Sequence, residues 1–239
     1  MTFSTVLRAL AVGFVLFLVC HAPAHSATPG ALDDANIFTY YTFSPGGSSI
    51  NWTTCGRTGS SSGCFGSGSM GPLAGPCAIM EGKPTASGNT LSQYVYVVEG
   101  SSTGFQYAVL DIYQKQDVIN GTDTSSMLLL HRISLNLKVA LKTACFMAGG
   151  PRYLFIGTAL SARAMRFDTV TLKLMPVSSN SIPSGLVSQI TADARGFVTI
   201  SFSHGATTAV DFYDPNGNLT QFGGGTAFEP NASTGVTLR

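Results

Sequence analysis

Charge is what this chain has least of. Asp, Glu, Lys and Arg make up 10% of its 239 residues, where about 25% is usual for a soluble domain. The signs nearly cancel, with thirteen basic residues against twelve acidic ones. A nucleic-acid binder needs a basic face, and an acidic disordered chain needs a large net charge. Both classes are excluded. Histidine occurs four times and tryptophan once, which leaves little for a multi-histidine metal site or a Ser-His-Asp hydrolase. No C-x-x-C pair is present, so a structural zinc site is excluded as well. No apolar run approaches the roughly 20 residues of a membrane-spanning helix.

The N-terminus carries a different message. One basic residue, Arg8, precedes the unbroken apolar run Ala9 to Val19, and Ala24-His25-Ser26 follows. This is the layout of a secretory signal peptide over residues 1–26, cut after Ser26. Cleavage removes Arg8 and Cys20. The mature chain is then formally neutral and keeps four cysteines: Cys55, Cys64, Cys77 and Cys145. An even number in an exported protein reads as two disulfides, with three pairings open. The expected location is extracellular or periplasmic.

What the sequence has in quantity is strand and turn. Apolar residues alternate in runs such as Leu135 to Leu141, and no sustained 3.6-residue period appears after residue 30. Turn signals recur at Pro45-Gly46-Gly47, Asn120-Gly121, Gly149-Gly150-Pro151 and Pro215-Asn216-Gly217. The chain reads as all-β. Three segments line up: Tyr94 to Lys115, Tyr153 to Lys173 and Phe197 to Asn218. Each is an apolar strand, a short turn and a second strand carrying an aspartate (Asp111, Asp168 or Asp211). Flanking strands before and after each pair give a four-stranded unit, A to D, repeated three times.

Four-stranded antiparallel units at this period are similar to β-propeller blades. They resemble the secreted YVTN and quinoprotein-like repeats over residues 75–224, without a WD or kelch signature. The resemblance implies a propeller-like ring with three clear blades. Residues 27–74, with strands at Ile37 to Phe43 and Ile50 to Cys55 and then a Gly/Ser-rich stretch to Gly71, offer a fourth. Residues 225–239 offer a tail or a strand that closes it. Self-association is the other route to a ring, and a β-sandwich with similar hairpins is the alternative fold. In the propeller frame Cys77 and Cys145 both start an A strand, and A strands are neighbours around the axis. This favours Cys77–Cys145, with Cys55–Cys64 closing a small Gly/Ser/Thr loop.

The functional signals are faint. Gly59-Ser60-Ser61-Ser62-Gly63 has the form G-x-S-x-G, but no helix follows it as a nucleophile elbow requires. Asp214-Pro215-Asn216-Gly217-Asn218 opens like a calcium loop, yet Gly225 stands where the closing glutamate belongs. No catalytic residue, metal or cofactor is assigned. Blade one carries two insertions, Glu81 to Ser92 and Asp117 to Ser126, expected as polar loops on one face. Lys83, Asp117, Asn120 and Asp123 lie in them. Aromatics cluster nearby in sequence: Phe38 and Tyr40 on one face of a strand, Tyr41 and Phe43 on the other, and Trp52 beyond. Tyr40, Tyr41 and Trp52 join the candidate binding set, although buried rings would simply fill a core. The expectation is an exported, non-enzymatic protein that binds a protein or glycan through its loop face. The alternatives are a secreted propeller hydrolase or lactonase with a metal in its channel, and a β-sandwich adhesin or surface structural module.

Overall fold

The computed structural model describes residues 37–43, 47–58, 61–100, 106–119, 123–140, 143–177 and 185–220. The signal peptide expected at residues 1–26, Asn120 and the closing strand expected within 225–239 lie outside them.

The described residues form sixteen strands and four antiparallel sheets. Sheet 1 holds β1 (Ile37–Phe43), β2 (Ile50–Thr58) and β3 (Ser61–Met70). Sheet 2 holds β4 (Pro76–Glu81), β6 (Thr90–Glu99), β7 (Gln106–Val118) and β8 (Thr124–Val139), with the short β5 (Thr85–Ser87) paired to β6. Sheet 3 holds β9 (Cys145–Gly149), β10 (Tyr153–Thr158), β11 (Met165–Asp168) and β12 (Lys173–Pro176). Sheet 4 holds β13 (Leu186–Ala192), β14 (Val198–His204), β15 (Thr207–Tyr213) and β16 (Leu219–Thr220). Sheets 2 to 4 are the three repeat units read from the sequence, each an up-and-down meander.

The sheets stack face to face in chain order. Val95 and Val97 of β6 meet Ile50, Trp52 and Met70 of sheet 1. Tyr96 and Val98, one residue out of phase, meet Leu154, Ile156 and Phe167 of sheet 3. Period-two alternation sends neighbours to opposite faces. A strand buried on both faces therefore reads as the continuous apolar run Tyr94 to Val98. Sheet 3 repeats the device, turning Phe155 toward Val187, Val198, Ile200 and Phe202 of sheet 4. The first strands of sheets 2, 3 and 4 touch in sequence, β4 on β9 and β9 on β13. This is a propeller-like arrangement. Three cores join sheets 1–2, 2–3 and 3–4, and among the described residues no such cluster joins sheet 4 to sheet 1.

Both disulfides form as expected. Cys77 and Cys145 cross-link β4 to β9 over a Cα–Cα distance of 5.4 Å, inside the usual range. Cys55 and Cys64 are directly opposed residues of β2 and β3.

Three expectations need correction. The Gly/Ser-rich stretch that closes the first segment is largely a strand, β3, paired with β2 from Ser61 to Met70. Its glycines are there for space. Gly68 lies opposite Trp52, and a Cβ on it would come within 2.9 Å of the indole. A Cβ on Gly66 would lie 2.3 Å from the Ser125 side chain of β8. The two insertions are in part strand rather than loop. Thr85–Ser87 and Thr90–Glu99 form the β5–β6 ladder, and Gln106–Val118 and Thr124–Val139 extend the β6–β7 and β7–β8 ladders. Finally, the repeated aspartates are not equivalent. Asp111 pairs with Val97 and Asp211 with Ile200, each the third residue after the start of its aligned segment, whereas Asp168 pairs with the first, Tyr153. Among the described residues no helix is long and apolar enough to cross a membrane.

Gly66→Ala should cost roughly 1–3 kcal/mol, the usual range for overpacking, because the new methyl meets both the side chain and the backbone of Ser125. Gly63→Ala, with nothing within 4 Å of the added Cβ, should leave the urea midpoint unchanged. Equal midpoints for the two variants would contradict the close β3–β8 approach.

Candidate functional site

The face of β7 that looks toward sheet 1 is polar where the opposite face is apolar. Ala108, Leu110 and Ile112 point into the sheet 2–3 core. Asp111, Tyr113, Lys115 and Asp117 occupy the alternate positions and are all buried, as is Glu99 of β6. This stripe resolves into two clusters on either side of Tyr113.

The first cluster contains two carboxylates and one guanidinium. Arg132, paired across the ladder with Asp111, donates through Nε to Asp111 Oδ1 at 2.8 Å and through Nη2 to Asp111 Oδ2 at 2.6 Å. The same Nη2 reaches Glu99 Oε1 at 2.7 Å. The other Glu99 oxygen accepts the backbone N–H of Ala74. Asp111 is 0% and Glu99 3% exposed, while about half of the Arg132 side chain meets solvent. Burial, and then a hydrogen bond shared with Asp111, push the Glu99 carboxyl up to about 7. Burial beside the two acids likewise raises the Tyr113 phenol to about 12.

The second cluster holds a buried lysine. Lys115 is 1% exposed and donates to Asp117. Ser125 donates to the other Asp117 oxygen. From there a chain of hydroxyl contacts crosses to sheet 1, Ser125 to Thr54 at 3.1 Å and Thr54 to Thr39 at 3.1 Å. Tyr41 donates to Glu81 at 2.6 Å, and burial together with that carboxylate drives its phenol far above its ordinary value. A buried ion pair is costly to break, by about 3–5 kcal/mol when one partner is removed. The satisfied network holds sheet 1 in register on sheet 2.

A groove of about 230 Å³ opens beside the first cluster. Met70 and Pro72 wall one side, Met127 and Leu129 the other, and Tyr113 and Arg132 line it as well. A separate feature lies on the far face of sheet 1. Phe38 and Tyr40, 48% and 56% exposed, pack edge to face with centroids 5.0 Å apart. Across the ladder, Thr42 and Tyr40 continue into the rows Asn51–Ser69 and Thr53–Ser67.

The structure separates the residues singled out from sequence. Tyr40 is on the outer face of sheet 1. Tyr41 points inward, and Trp52 is buried against Gly68 at 5% exposure. Asp117 is buried under sheet 1 rather than presented on a loop. Lys83 is exposed just ahead of β5, and Asp123 is half-buried just ahead of β8. Asp168 caps its own turn, accepting the N–H groups of Val170 and Thr171 at 2.9 and 3.2 Å and pairing with Arg152. Asp214 likewise accepts the Asn218 N–H at 2.8 Å in a turn. Glu99, Lys115 and Arg132 were missed. The available signal was the spacing of the charged residues of β7, Asp111, Lys115 and Asp117, all at even intervals. Among the described residues no group of three or more His, Cys, Asp or Glu is placed to hold a metal ion.

The Glu99 carboxyl sets a pH dependence. Its folded value of about 7 stands above its ordinary 4.5, so the folded protein holds this proton more tightly than the unfolded chain does. That stabilisation is complete below about 4.5 and is lost as pH rises through 7. Urea midpoints should fall between pH 5 and pH 8, and Glu99→Gln should flatten this part of the profile. A wild-type profile that rises over the same window would contradict the shared proton.

No family model matches the chain, and no curated protein matches it. Solved structures resemble it only weakly, among them the following two. A crystal structure of a protein from Lactobacillus plantarum is 12% identical with a TM-score of 0.32, covering 76% of this chain and 66% of that one. Prolyl oligopeptidase B from Galerina marginata, bound to a 35mer hydrolysis and macrocyclization substrate, is 8% identical with a TM-score of 0.32. That match covers 83% of this chain and 34% of the oligopeptidase. The chain thus spans just under two thirds of the first and about one third of the second.

Proposed function

We propose that this is an exported, non-enzymatic binding protein that recognises a glycan through the outer face of its first sheet. The observation that carries the reading is the Phe38–Tyr40 pair, two exposed rings locked edge to face. Beside them run rows of exposed Thr42, Asn51, Ser67 and Ser69. A sugar offers an apolar C–H face for an aromatic ring and hydroxyls for amide and hydroxyl partners. These rows carry no charge, which suits a neutral saccharide. Two disulfides fit an oxidising compartment, in keeping with the signal peptide read at residues 1–26. The outer face of sheet 1 is favoured over the loop face expected from sequence, because it carries the exposed ring pair.

The test is a glycan array with oxidised protein starting at Ala27. Tyr40→Ala and Phe38→Ala should each weaken a specific hit roughly three- to tenfold, as expected for about 0.5–1.5 kcal/mol of stacking. Trp52→Ala is unsuitable, since it opens a core cavity that costs about 3–5 kcal/mol. Folded protein with no glycan hit, or a hit indifferent to both substitutions, would overturn the assignment.

A further inference from the structure

The groove between sheets 1 and 2 is a second, separate feature. Its walls are mixed: the side chains of Met70, Pro72, Met127 and Leu129 give it an adaptable apolar part, and Ser69 and Gly71 complete the lining. Methionines fill irregular shapes readily. Two donors line it. The Tyr113 phenol stays protonated, since its pKa is about 12. The Arg132 guanidinium uses Nε and Nη2 on the two acids, and its other terminal nitrogen is available to a guest. An open groove that sets apolar side chains beside a phenol and a guanidinium matches a small molecule with an apolar body and an anionic, acceptor-only head. We propose that this groove binds small apolar carboxylates, with Arg132 and Tyr113 holding the carboxylate and the Met/Leu/Pro walls holding the hydrocarbon.

The acids behind Arg132 make binding proton-linked. With Glu99 and Asp111 both ionised, the cluster carries one net negative charge and opposes an anion. With Glu99 protonated it is neutral. The groups that face Glu99 are Asp111 and Tyr113 of β7 and Arg132 of β8. Sheet 1 and β4 contribute Ile50, Trp52, Met70 and Ile79 to the adjoining core, together with Tyr41, whose phenol is tied to Glu81 of β4. Lys115, further along β7, is tied to Asp117. The guest therefore favours the form in which Glu99 keeps its proton.

The experiment is calorimetric titration of the full mature protein with octanoate, and with 1-octanol as the uncharged control. Octanoate should bind at pH 6 and roughly fivefold more weakly at pH 8, the effect of one unit of induced pKa shift on a carboxyl near 7. 1-Octanol should bind more weakly than octanoate at pH 6 and show no pH dependence. Leu129 is half exposed, so Leu129→Trp should fill the groove without unfolding the protein and abolish binding. Glu99→Gln should bind equally at both pH values. Folded protein that fails to bind octanoate at pH 6 would overturn the proposal. So would equal binding of octanol, or octanoate binding that survives Leu129→Trp. The site lies apart from Phe38 and Tyr40, so this result is independent of the glycan array.

Discussion

A carboxylate taken out of water loses hydration worth several kcal/mol unless charge and hydrogen bonds replace it. Glu99 and Asp111 are both taken out of water, and one guanidinium answers both. Much else at this junction follows from that shortage. The cross-strand register of β7 and β8 has to place Arg132 opposite Asp111. The link after β3 has to bring the Ala74 N–H onto the second Glu99 oxygen. Burial first, and then the hydrogen bond shared with Asp111, raise the Glu99 carboxyl. A chain with so few charges has concentrated a large share of them in one interface.

The other junctions are built differently. Sheets 2 and 3 meet through Leu110, Leu137, Leu154 and Phe167, with the Cys77–Cys145 bond across their first strands. Apolar contact is non-directional, so that junction is fixed by shape and by a covalent tie. Sheets 3 and 4 add a polar rim in which Arg152 and Arg166 both lie over Tyr153 at 5.0 Å. The junction of sheets 1 and 2 has no disulfide between its sheets. Directional hydrogen bonds from Thr54 to Ser125 and from Tyr41 to Glu81 do the aligning.

Much of the fold was legible because it rests on short-range pattern. Alternation gave the strands, turn residues gave their ends, and the matching positions of Cys77 and Cys145 gave the cross-link. The glycines of β3 were opaque for a physical reason. Gly66 and Gly68 weaken a strand locally and read as loop, yet they are required by Trp52 and Ser125, which are distant in sequence or on a facing strand. The aspartate repeat misled for a related reason. Asp168 pairs with the residue that opens its segment, whereas Asp111 and Asp211 pair three positions further along theirs. With a period of two, an odd slip exchanges faces. Asp111 and Asp211 face the preceding sheet, and Asp168 was left to cap a turn.

The candidate sites were harder to read because they depend on which face of a strand is covered. In β1, alternation correctly separated Phe38 and Tyr40 from Tyr41 and Phe43, but not which pair sheet 2 would cover. That choice is set by what lies beneath. Thr39 and Tyr41 have the hydroxyls that the buried stripe of β7 and its neighbours can engage, whereas two bulky rings over Gly66 would find no room where Ser125 already sits. The polar network under sheet 1 therefore determines which rings remain outside. The exposed aromatic pair on one side of the sheet and the acid–guanidinium groove on the other both follow from one arrangement: buried charge on β7 is met by β7 and β8 themselves, and the hydroxyls of sheet 1 complete the network through Ser125 and Glu81.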